Sequence, residues 1–296
     1  MLDAAIIGAG PAGIAAAIQA VRSGLKIVVF EGSTPGGLIR NANWIENYPG
    51  FPNGISGKRF ADLISEQLKA QNVKLITEKV QQINPNGNHF EIHSLSGILK
   101  SERIILATGT IPKKIIINGV ELAENDNLFY EIVPLLQQTG KRIAVIGGGD
   151  AAFDYALNLA RHNLVTIFHR GSKAKCLPLL LERVKRNARF EFHPESRLIG
   201  LMKMENSLDI TIETKGRDIE MNFDYLVIAI GRRSNLACVS NLEYSQLEYY
   251  REKSLLYLVG DVKNGNHRHV GIAVGDGLKA AMQINEFKIR TFENNR

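Results

Sequence analysis

The chain contains one local pattern twice, and each copy predicts a strand, a glycine-rich turn, a helix and a second strand. In the first copy, the apolar residues 4–8 run into Gly8-Ala9-Gly10-Pro11-Ala12-Gly13, and an alanine-rich helix follows. In the second copy, the strand 143–146 runs into Gly147-Gly148-Gly149-Asp150-Ala151-Ala152, and another helix follows. Such βαβ units are the core of dinucleotide-binding domains. The sequence therefore predicts an α/β fold with two Rossmann-like dinucleotide-binding domains.

The segments after each βαβ unit indicate how the two domains are connected. The turn signals Asn86-Gly87 and Lys215-Gly216 each separate two short strand-like runs, which predicts a hairpin in each domain. The simplest organisation has the second domain inserted in the first. We expect the first domain to comprise residues 1–115 and 239–296, and the second to comprise residues 116–238.

Composition and charge exclude several classes of protein. Of the 296 residues, 45% are hydrophobic, yet the apolar runs are far shorter than the ~20 residues that a membrane span requires. The N-terminus enters a strand pattern without a basic leader, so a cytoplasmic protein is expected. The net charge of +6 comes from basic residues spread along the chain, which argues against nucleic-acid binding.

The two cysteines of the chain, Cys176 and Cys238, do not form a C-x-x-C pair. This count excludes a disulfide scaffold and a cysteine-rich metal site. We expect both thiols to be small buried apolar groups, because that is the usual fate of an isolated cysteine.

The first glycine turn has the residues that a bound dinucleotide requires. Gly8 permits the tight turn, Gly10 lets the backbone approach a pyrophosphate, and Gly13 lets the helix pack on the strand. Glu31 follows the second strand, where it can accept hydrogen bonds from an adenosine ribose. The alternative is that the glycines serve packing alone and that Glu31 is a solvated surface acid.

The second glycine turn has the same pattern, but the residues after its second strand differ. Gly147, Gly149 and Ala152 have the three roles of the first copy. Basic residues replace the acid at the end of the second strand: His169, Arg170, Lys173 and Lys175. Cations there neutralise a 2′-phosphate, so the pattern favours NADP(H) over NAD(H). The alternative is a solvated basic loop.

A set of motifs along nearly the whole chain resembles the low-molecular-weight, bacterial-type thioredoxin reductases. In order they are GAGPAG from Gly8, Gly36-Gly37, ENYPGFP from Glu46, Ala107-Thr108-Gly109, GGGDAA from Gly147, His169-Arg170 and Gly260-Asp261-Val262. The resemblance implies a flavoprotein oxidoreductase with an FAD domain built from both ends of the chain, an inserted NADPH domain, and a homodimer.

The resemblance also implies which residues contact each cofactor. The FAD contacts would be Gly8, Gly10, Pro11, Ala12, Gly13, Glu31, Gly36, Gly37, Leu38, Asn47, Thr108, Gly109, Asp261, Arg268 and His269. The NADP contacts would be Gly147, Gly149, Asp150, Ala151, Ala152, His169, Arg170, Lys175 and Gly231. Asp261 has an alternative role as a capping residue. His269 has an alternative role as a structural histidine, and otherwise hydrogen-bonds the pyrimidine edge of the flavin.

The chain departs from the family where the redox-active C-x-x-C is expected, since Tyr130-Glu131-Ile132-Val133 stands there without a thiol. Two adjacent thiols are needed to relay electrons by disulfide exchange. Tyr130 therefore either covers the flavin or fills the core, and the same alternatives apply to Trp44 and Tyr48. In addition, Gly171 and Lys175 replace two family arginines, so affinity or selectivity for the 2′-phosphate is expected to be lower.

These observations predict an FAD-dependent oxidoreductase that takes hydride from NADPH, or less favourably NADH, and passes electrons to an external acceptor. Tyr130 and His269 are flavin-proximal candidates, and no acid–base residue is assigned. The chain also resembles thioredoxin-reductase-like ferredoxin-NADP reductases, and an acidic ferredoxin or flavodoxin suits the charge of +6. One alternative is a reductase of an external disulfide, quinone or small oxidant. Another is a flavin- or nucleotide-binding redox-regulatory protein with vestigial catalysis.

Overall fold

A computed structural model of the chain describes residues 1–294, which form two compact units. Unit 1 comprises Met1–Arg40, Glu46–Ile111 and, of the described residues, 233–294. Unit 2 comprises Asn41–Ile45 and Pro112–Arg232. The expected domain boundaries, after residues 115 and 238, lie a few residues later than these at both crossings, and the short segment 41–45 was expected in the first domain.

The elements are numbered in chain order. The strands are β1 (Leu2–Ile7), β2 (Ile27–Phe30), β3 (Leu75–Ile76), β4 (Gln82–Asn86), β5 (His89–Ser94), β6 (Gly97–Leu106), β7 (Thr110–Pro112), β8 (Ile116–Ile117), β9 (Val120–Glu121), β10 (Leu128–Phe129), β11 (Arg142–Ile146), β12 (Leu164–Phe168), β13 (Phe190–His193), β14 (Ser196–Lys203), β15 (Leu208–Thr214), β16 (Arg217–Phe223), β17 (Tyr225–Ile228), β18 (Arg232–Ser234) and β19 (Leu256–Leu258). The helices are α1 (Pro11–Arg22), α2 (Gly57–Ala70), α3 (Asp150–Leu159), α4 (Pro178–Lys185), α5 (Tyr244–Glu252) and α6 (Val270–Asn294). Within residues 1–294, no helix has the length and apolar content to cross a membrane.

Unit 1 is a three-layer α/β domain. Its sheet has the order β3-β2-β1-β6-β5-β4, and β19 also pairs with β6. Alternate residues of β1 point to opposite faces: Ala4 and Ile6 join a core with α1 and α6, whereas Ala5 and Ile7 join a core with β4, β5 and α5. Both faces are apolar because β1 lies in the interior of the sheet.

Unit 2 repeats this plan on a smaller scale. Its parallel sheet has the order β10-β17-β11-β12-β13, and the antiparallel strands β14, β15 and β16 form a separate meander. Ile143 and Val145 of β11 pack against α3 and α4, whereas Ala144 and Ile146 pack against the meander side. The predicted Lys215-Gly216 turn joins β15 to β16, and Asn86-Gly87 ends β4 before β5 begins.

The first glycine of each turn makes the same backbone contact in the two units. The N–H of Gly8 donates to the carbonyl of Phe30 at 2.8 Å, and the N–H of Gly147 donates to the carbonyl of Phe168 at 3.0 Å. Each turn is thereby fixed to the end of the neighbouring parallel strand. The predicted fold class, two Rossmann-like domains with the second inserted in the first, is confirmed.

Candidate cofactor sites

In unit 1, the three glycines of the first turn have different surroundings. A Cβ added at Gly8 would lie 2.4 Å from the carbonyl oxygen of Ala107, and one added at Gly13 would lie 1.8 Å from the carbonyl oxygen of Gly8. A Cβ added at Gly10 would meet no described atom within 4 Å. Gly8 and Gly13 are therefore required for packing, whereas Gly10 faces open space where a ligand can approach the backbone.

The open space at Gly10 adjoins the start of α1. Gly10 is the N-cap of this helix and Pro11 its first residue, and no side chain caps it. The first N–H groups of a helix lack partners inside the helix and favour a bound anion. Glu31 holds the turn in place, because its carboxylate accepts hydrogen bonds from the N–H groups of Ala9 at 2.7 Å and Ser33 at 2.8 Å. The open backbone at Gly10 and the start of α1 together form what we call the first cradle, and this cradle fits the pyrophosphate of FAD.

Two segments that are distant in sequence lie against this cradle. A Cβ added at Gly37 would lie 3.0 Å from the Cα of Gly10, and one added at Gly260 would lie 2.9 Å from the Cβ of Ala12. The close packing of Gly260 brings Asp261, the next residue, to the start of α1. The structure thus places Asp261 and Gly36-Gly37 beside the first glycine turn.

Thr108 and His269 both make hydrogen bonds within unit 1. The hydroxyl of Thr108 donates to the carbonyl of Asn235 at 2.6 Å. His269 caps α6, since its Nδ1 accepts from the N–H of Gly271 at 3.0 Å and its carbonyl accepts from Ala273. In the neutral ring the proton then lies on Nε2, which leaves a donor for a ligand. The flavin contact of His269 stays a prediction, and capping is the role that the structure shows.

Tyr48, the aromatic candidate of unit 1, and the exposed Asn47 line an open cavity of about 410 Å³ formed by residues 46–52. The ring of Tyr48 packs 4.9 Å from the ring of Phe60, so this side chain belongs to an aromatic cluster. Trp44, in the short segment assigned to unit 2, is 42% exposed. These positions favour packing for Tyr48 and leave its contact with flavin a prediction.

In unit 2, the second glycine turn resembles the first: one of its glycines is tightly packed and another faces open space. A Cβ added at Gly147 would lie 2.5 Å from the carbonyl oxygen of Ala229 and 2.8 Å from the Cβ of Ala152. A Cβ added at Gly149 would meet no described atom within 4 Å. Gly149 is the N-cap of helix α3, and no side chain caps this helix. The second cradle therefore also fits a pyrophosphate.

The loop after β12 lies beside this second cradle. The N–H of Lys175 donates to the carbonyl of Gly148 at 2.7 Å, and the carboxylate of Asp150 accepts from the N–H of Leu177 at 2.7 Å. These bonds hold the loop against the start of α3. Its cationic side chains are exposed: Arg170, Lys173 and Lys175. A concentration of positive charge at this place fits the 2′-phosphate of NADPH.

Tyr130, at the position of the first redox cysteine, lies in the core of unit 2. It is 1% exposed, and its hydroxyl donates to the carbonyl of Leu122 at 2.7 Å and accepts from the N–H of Ile115 at 3.3 Å. The ammonium of Lys114 lies 3.8 Å from the ring centroid. Burial raises the pKa of Tyr130. These contacts favour the packing alternative over the flavin-covering one.

Replacing Tyr130 with phenylalanine tests this interpretation. We expect the free energy of unfolding of unit 2 to fall by about 1–2 kcal/mol, because the carbonyl of Leu122 loses a buried donor. Urea unfolding would measure this change, and the rate of flavin reduction by NADPH should be the same as in the wild type. A slower reduction without loss of stability would instead place Tyr130 at the flavin.

Glu131, the next residue, is the centre of a polar cluster that the sequence analysis missed. Its carboxylate accepts from the Nδ2 of Asn41 at 2.8 Å and from the hydroxyl of Tyr155 at 3.1 Å, and it pairs with Arg232. The Oδ1 of Asn41 accepts from the N–H of Ile132 at 2.9 Å. No sequence pattern joins these residues, which come from four separate segments of unit 2.

The two cysteines lie in different units and are both free. Burial raises the pKa of Cys238 to about 11, and burial also raises the pKa of Cys176. Cys238 is buried as expected, whereas Cys176 is only partly buried. Since the thiolate is the reactive form, a raised pKa disfavours that form in both residues.

Comparisons with known proteins agree with the two-domain fold. Residues 2–277 match the family described as pyridine nucleotide-disulphide oxidoreductase. The thioredoxin reductase of Helicobacter pylori is 30% identical over 96% of this chain and 98% of its own length. That of Ureaplasma parvum is 30% identical over 97% of each chain. The crystal structure of Lactococcus lactis thioredoxin reductase is 28% identical, has a TM-score of 0.87, and is matched over 98% of this chain and 100% of its own.

The fold and the two cradles define a flavin- and pyridine-nucleotide-dependent oxidoreductase. The chain belongs to the pyridine nucleotide-disulphide oxidoreductase family. It is an FAD-dependent NAD(P)H oxidoreductase of the thioredoxin-reductase-like type, and its cofactors are FAD and NADPH.

Proposed function

We propose that this oxidoreductase passes electrons from FAD directly to an external acceptor, without a dithiol of its own between them. The observation that carries the proposal is the chemistry at residues 130–133. The tyrosine there is buried in the core of unit 2, and the glutamate is hydrogen-bonded and ion-paired within that unit. Neither side chain can accept two electrons and release them by disulfide exchange.

The side chains and backbone of the two units would bind and orient the cofactors. In unit 1, the start of α1 and the backbone of Gly10 hold the pyrophosphate of FAD, while Glu31 fixes the turn beside the ribose. In unit 2, the start of α3 holds the pyrophosphate of NADPH, while Arg170 and Lys175 neutralise its 2′-phosphate. When bound, FAD supplies the redox chemistry that joins hydride donation by NADPH to reduction of the acceptor.

For the acceptor, we propose an acidic electron-transfer protein of the ferredoxin or flavodoxin type. The net charge of +6 would favour encounter with such a partner by electrostatic steering. The family resemblance further suggests that the protein acts as a homodimer.

A second candidate acceptor is an external disulfide. It is supported by the names of the relatives, which are thioredoxin reductases at about the same length as this chain. Because the chain lacks the paired thiols, the disulfide would have to be reduced without a dithiol intermediate on this protein.

Turnover with a set of acceptors tests the proposal. NADPH oxidation would be followed anaerobically with ferredoxin, flavodoxin, thioredoxin disulfide and a quinone, using the wild type and the double variant Cys176→Ser, Cys238→Ser. We expect turnover with at least one acceptor, and equal rates for both proteins. Loss of the activity in the double variant would contradict direct transfer, because it would show that the two thiols carry electrons.

A further inference from the structure

Residues 35–40, which we call the Gly36-Gly37 loop, form one wall of the first cradle. The N–H of Gly36 donates to the carbonyl of Ala9 at 2.7 Å, and a Cβ added at Gly37 would lie 3.0 Å from the Cα of Gly10. Since Gly10 borders the open space assigned to the pyrophosphate, the position of this loop shapes the FAD site. The contacts that hold the loop therefore bear on how tightly the cofactor is bound.

The backbone of this loop is costly to hold in one conformation. Gly36 and Gly37 follow one another, and both have positive φ angles, of 104° and 63°. Glycine loses more conformational freedom than any other residue when its backbone is fixed. The loop therefore depends on contacts outside the glycine pair to keep its place beside the turn.

Arg40, at the far end of the loop, supplies such contacts with its guanidinium. Its Nε and Nη2 both donate to the carbonyl of Pro35, at 3.0 Å and 2.6 Å, so the side chain joins the last residue of the loop to the first. Its Nη1 donates to the carboxylate of Asp62 on α2 at 2.7 Å. This use of three nitrogens requires the rigid fork of an arginine, which lysine does not have.

Helix α2 holds the loop at two adjacent residues. A Cβ added at Gly36 would lie 2.6 Å from the Cβ of Ala61, which is fully buried, and the next residue of the helix is Asp62. The side chain of Arg40 is only 15% exposed, so its ion pair is screened less than one on the open surface. Hydrogen bonds from Arg40 and Lys58 lower the pKa of Asp62, which keeps the carboxylate charged.

Arg40 is also the last residue by which unit 1 holds this loop. The next residue, Asn41, belongs to unit 2, where its side chain donates to Glu131. Without the contacts of Arg40, the C-terminal end of the loop would follow the segment 41–45, which unit 2 holds. The place of Arg40 in the chain thus suits a residue that keeps the wall of the cradle fixed.

We propose that Arg40 is a positioning residue for FAD: it holds the Gly36-Gly37 loop against the first glycine turn and thereby slows dissociation of the cofactor. Arg40 acts through the loop. A loop that is already fixed in its bound conformation loses less freedom when the ligand binds, and this gain in affinity is mostly a lower rate of dissociation. The inference rests on the FAD site at the first cradle.

The rate of FAD release from the holoprotein tests the proposal. Release would be followed as the rise in free-flavin fluorescence after dilution, for the wild type, Arg40→Gln, Arg40→Lys and Asp62→Asn. The matched control is Arg59→Gln. Arg59 lies on the same helix and forms an exposed ion pair with Glu66, so this variant loses the same charge and an ion pair of α2, but none of the loop contacts.

We expect FAD release to be about tenfold faster in Arg40→Gln, because its charge-assisted hydrogen bonds are lost. It should be about threefold faster in Asp62→Asn, which keeps the bonds to Pro35, and unchanged in Arg59→Gln. Arg40→Lys should restore only part of the retention, since an ammonium lacks the fork. With all flavin sites filled, flavin reduction by NADPH should be as fast as in the wild type in every variant.

The separation of cofactor retention from turnover distinguishes positioning from general damage to unit 1. Wild-type release in Arg40→Gln, or an equal acceleration in Arg59→Gln, would overturn the role of Arg40 and leave the FAD site in place. Faster release together with a lower unfolding temperature of the flavin-free protein and slower reduction at full occupancy would also overturn it. A wild-type protein that does not bind added FAD would overturn the cofactor site itself.

Discussion

Gly13→Ala should abolish flavin binding because it destabilises unit 1, whereas Gly10→Ala should weaken flavin binding and leave the fold intact. The Cβ of an alanine at position 13 would lie 1.8 Å from the carbonyl oxygen of Gly8, a backbone atom that cannot move without displacing the turn. We expect the free energy of unfolding to fall by about 3 kcal/mol. At position 10 the added methyl group meets no described atom within 4 Å, and the backbone there is extended.

The two variants therefore separate packing from ligand contact in one motif. For Gly10→Ala, the methyl group would enter the space assigned to the pyrophosphate, and we expect FAD to bind roughly ten- to a hundredfold more weakly. Thermal unfolding of the flavin-free proteins and the flavin-to-protein ratio after purification would measure the two effects. Full FAD affinity in Gly10→Ala would show that the pyrophosphate does not lie at this glycine.

The double variant Arg170→Ala, Lys175→Ala should lose affinity for NADP⁺ selectively. Each cation that contacts the 2′-phosphate contributes about 1.5–3 kcal/mol when the hydrogen bond is charge-assisted, so the combined loss should be about a hundredfold or more in Kd. The affinity for NAD⁺, which has no phosphate at this position, should change by less than about threefold. Calorimetric Kd values for both nucleotides measure this directly.

A matched double variant of exposed basic residues in the same unit, Lys185→Ala and Arg217→Ala, controls for the loss of two positive charges. Long-range attraction to an anionic ligand would weaken both double variants equally. A loss for NADP⁺ as large in the control as in Arg170→Ala, Lys175→Ala would mean that these residues form a solvated basic loop rather than a phosphate site.

The sequence predicted the repeated features of this fold well, since they follow from short-range rules. A glycine turn between a buried strand and a helix has few alternative structures. For that reason the two copies of the pattern predicted both nucleotide-binding turns and the insertion of the second domain in the first. The Asn86-Gly87 and Lys215-Gly216 turns were predicted for the same reason: glycine and its neighbour accept the backbone of a tight hairpin.

The contacts between distant segments were not predictable in this way. Glu131 contacts Asn41, Tyr155 and Arg232, and no periodicity or spacing connects these positions. Likewise, no pattern in the sequence connects Arg40 with Asp62. Side-chain packing of this kind depends on the assembled tertiary structure. The sequence therefore shows that residues 130–133 lack thiols, but it does not show the polar contacts of Glu131.

The central claim, direct transfer without an internal dithiol, is tested most directly by counting the reducing equivalents that the protein takes up. The FAD-loaded protein would be titrated anaerobically with NADPH, with the flavin absorption band and the residual NADPH followed together. We expect full bleaching at about one equivalent of NADPH per flavin, because Cys176 and Cys238 are both free and hold no disulfide that could take a second electron pair. Uptake of about two equivalents, with free thiols appearing on the protein, would contradict this account and show that Cys176 and Cys238 form a redox-active disulfide.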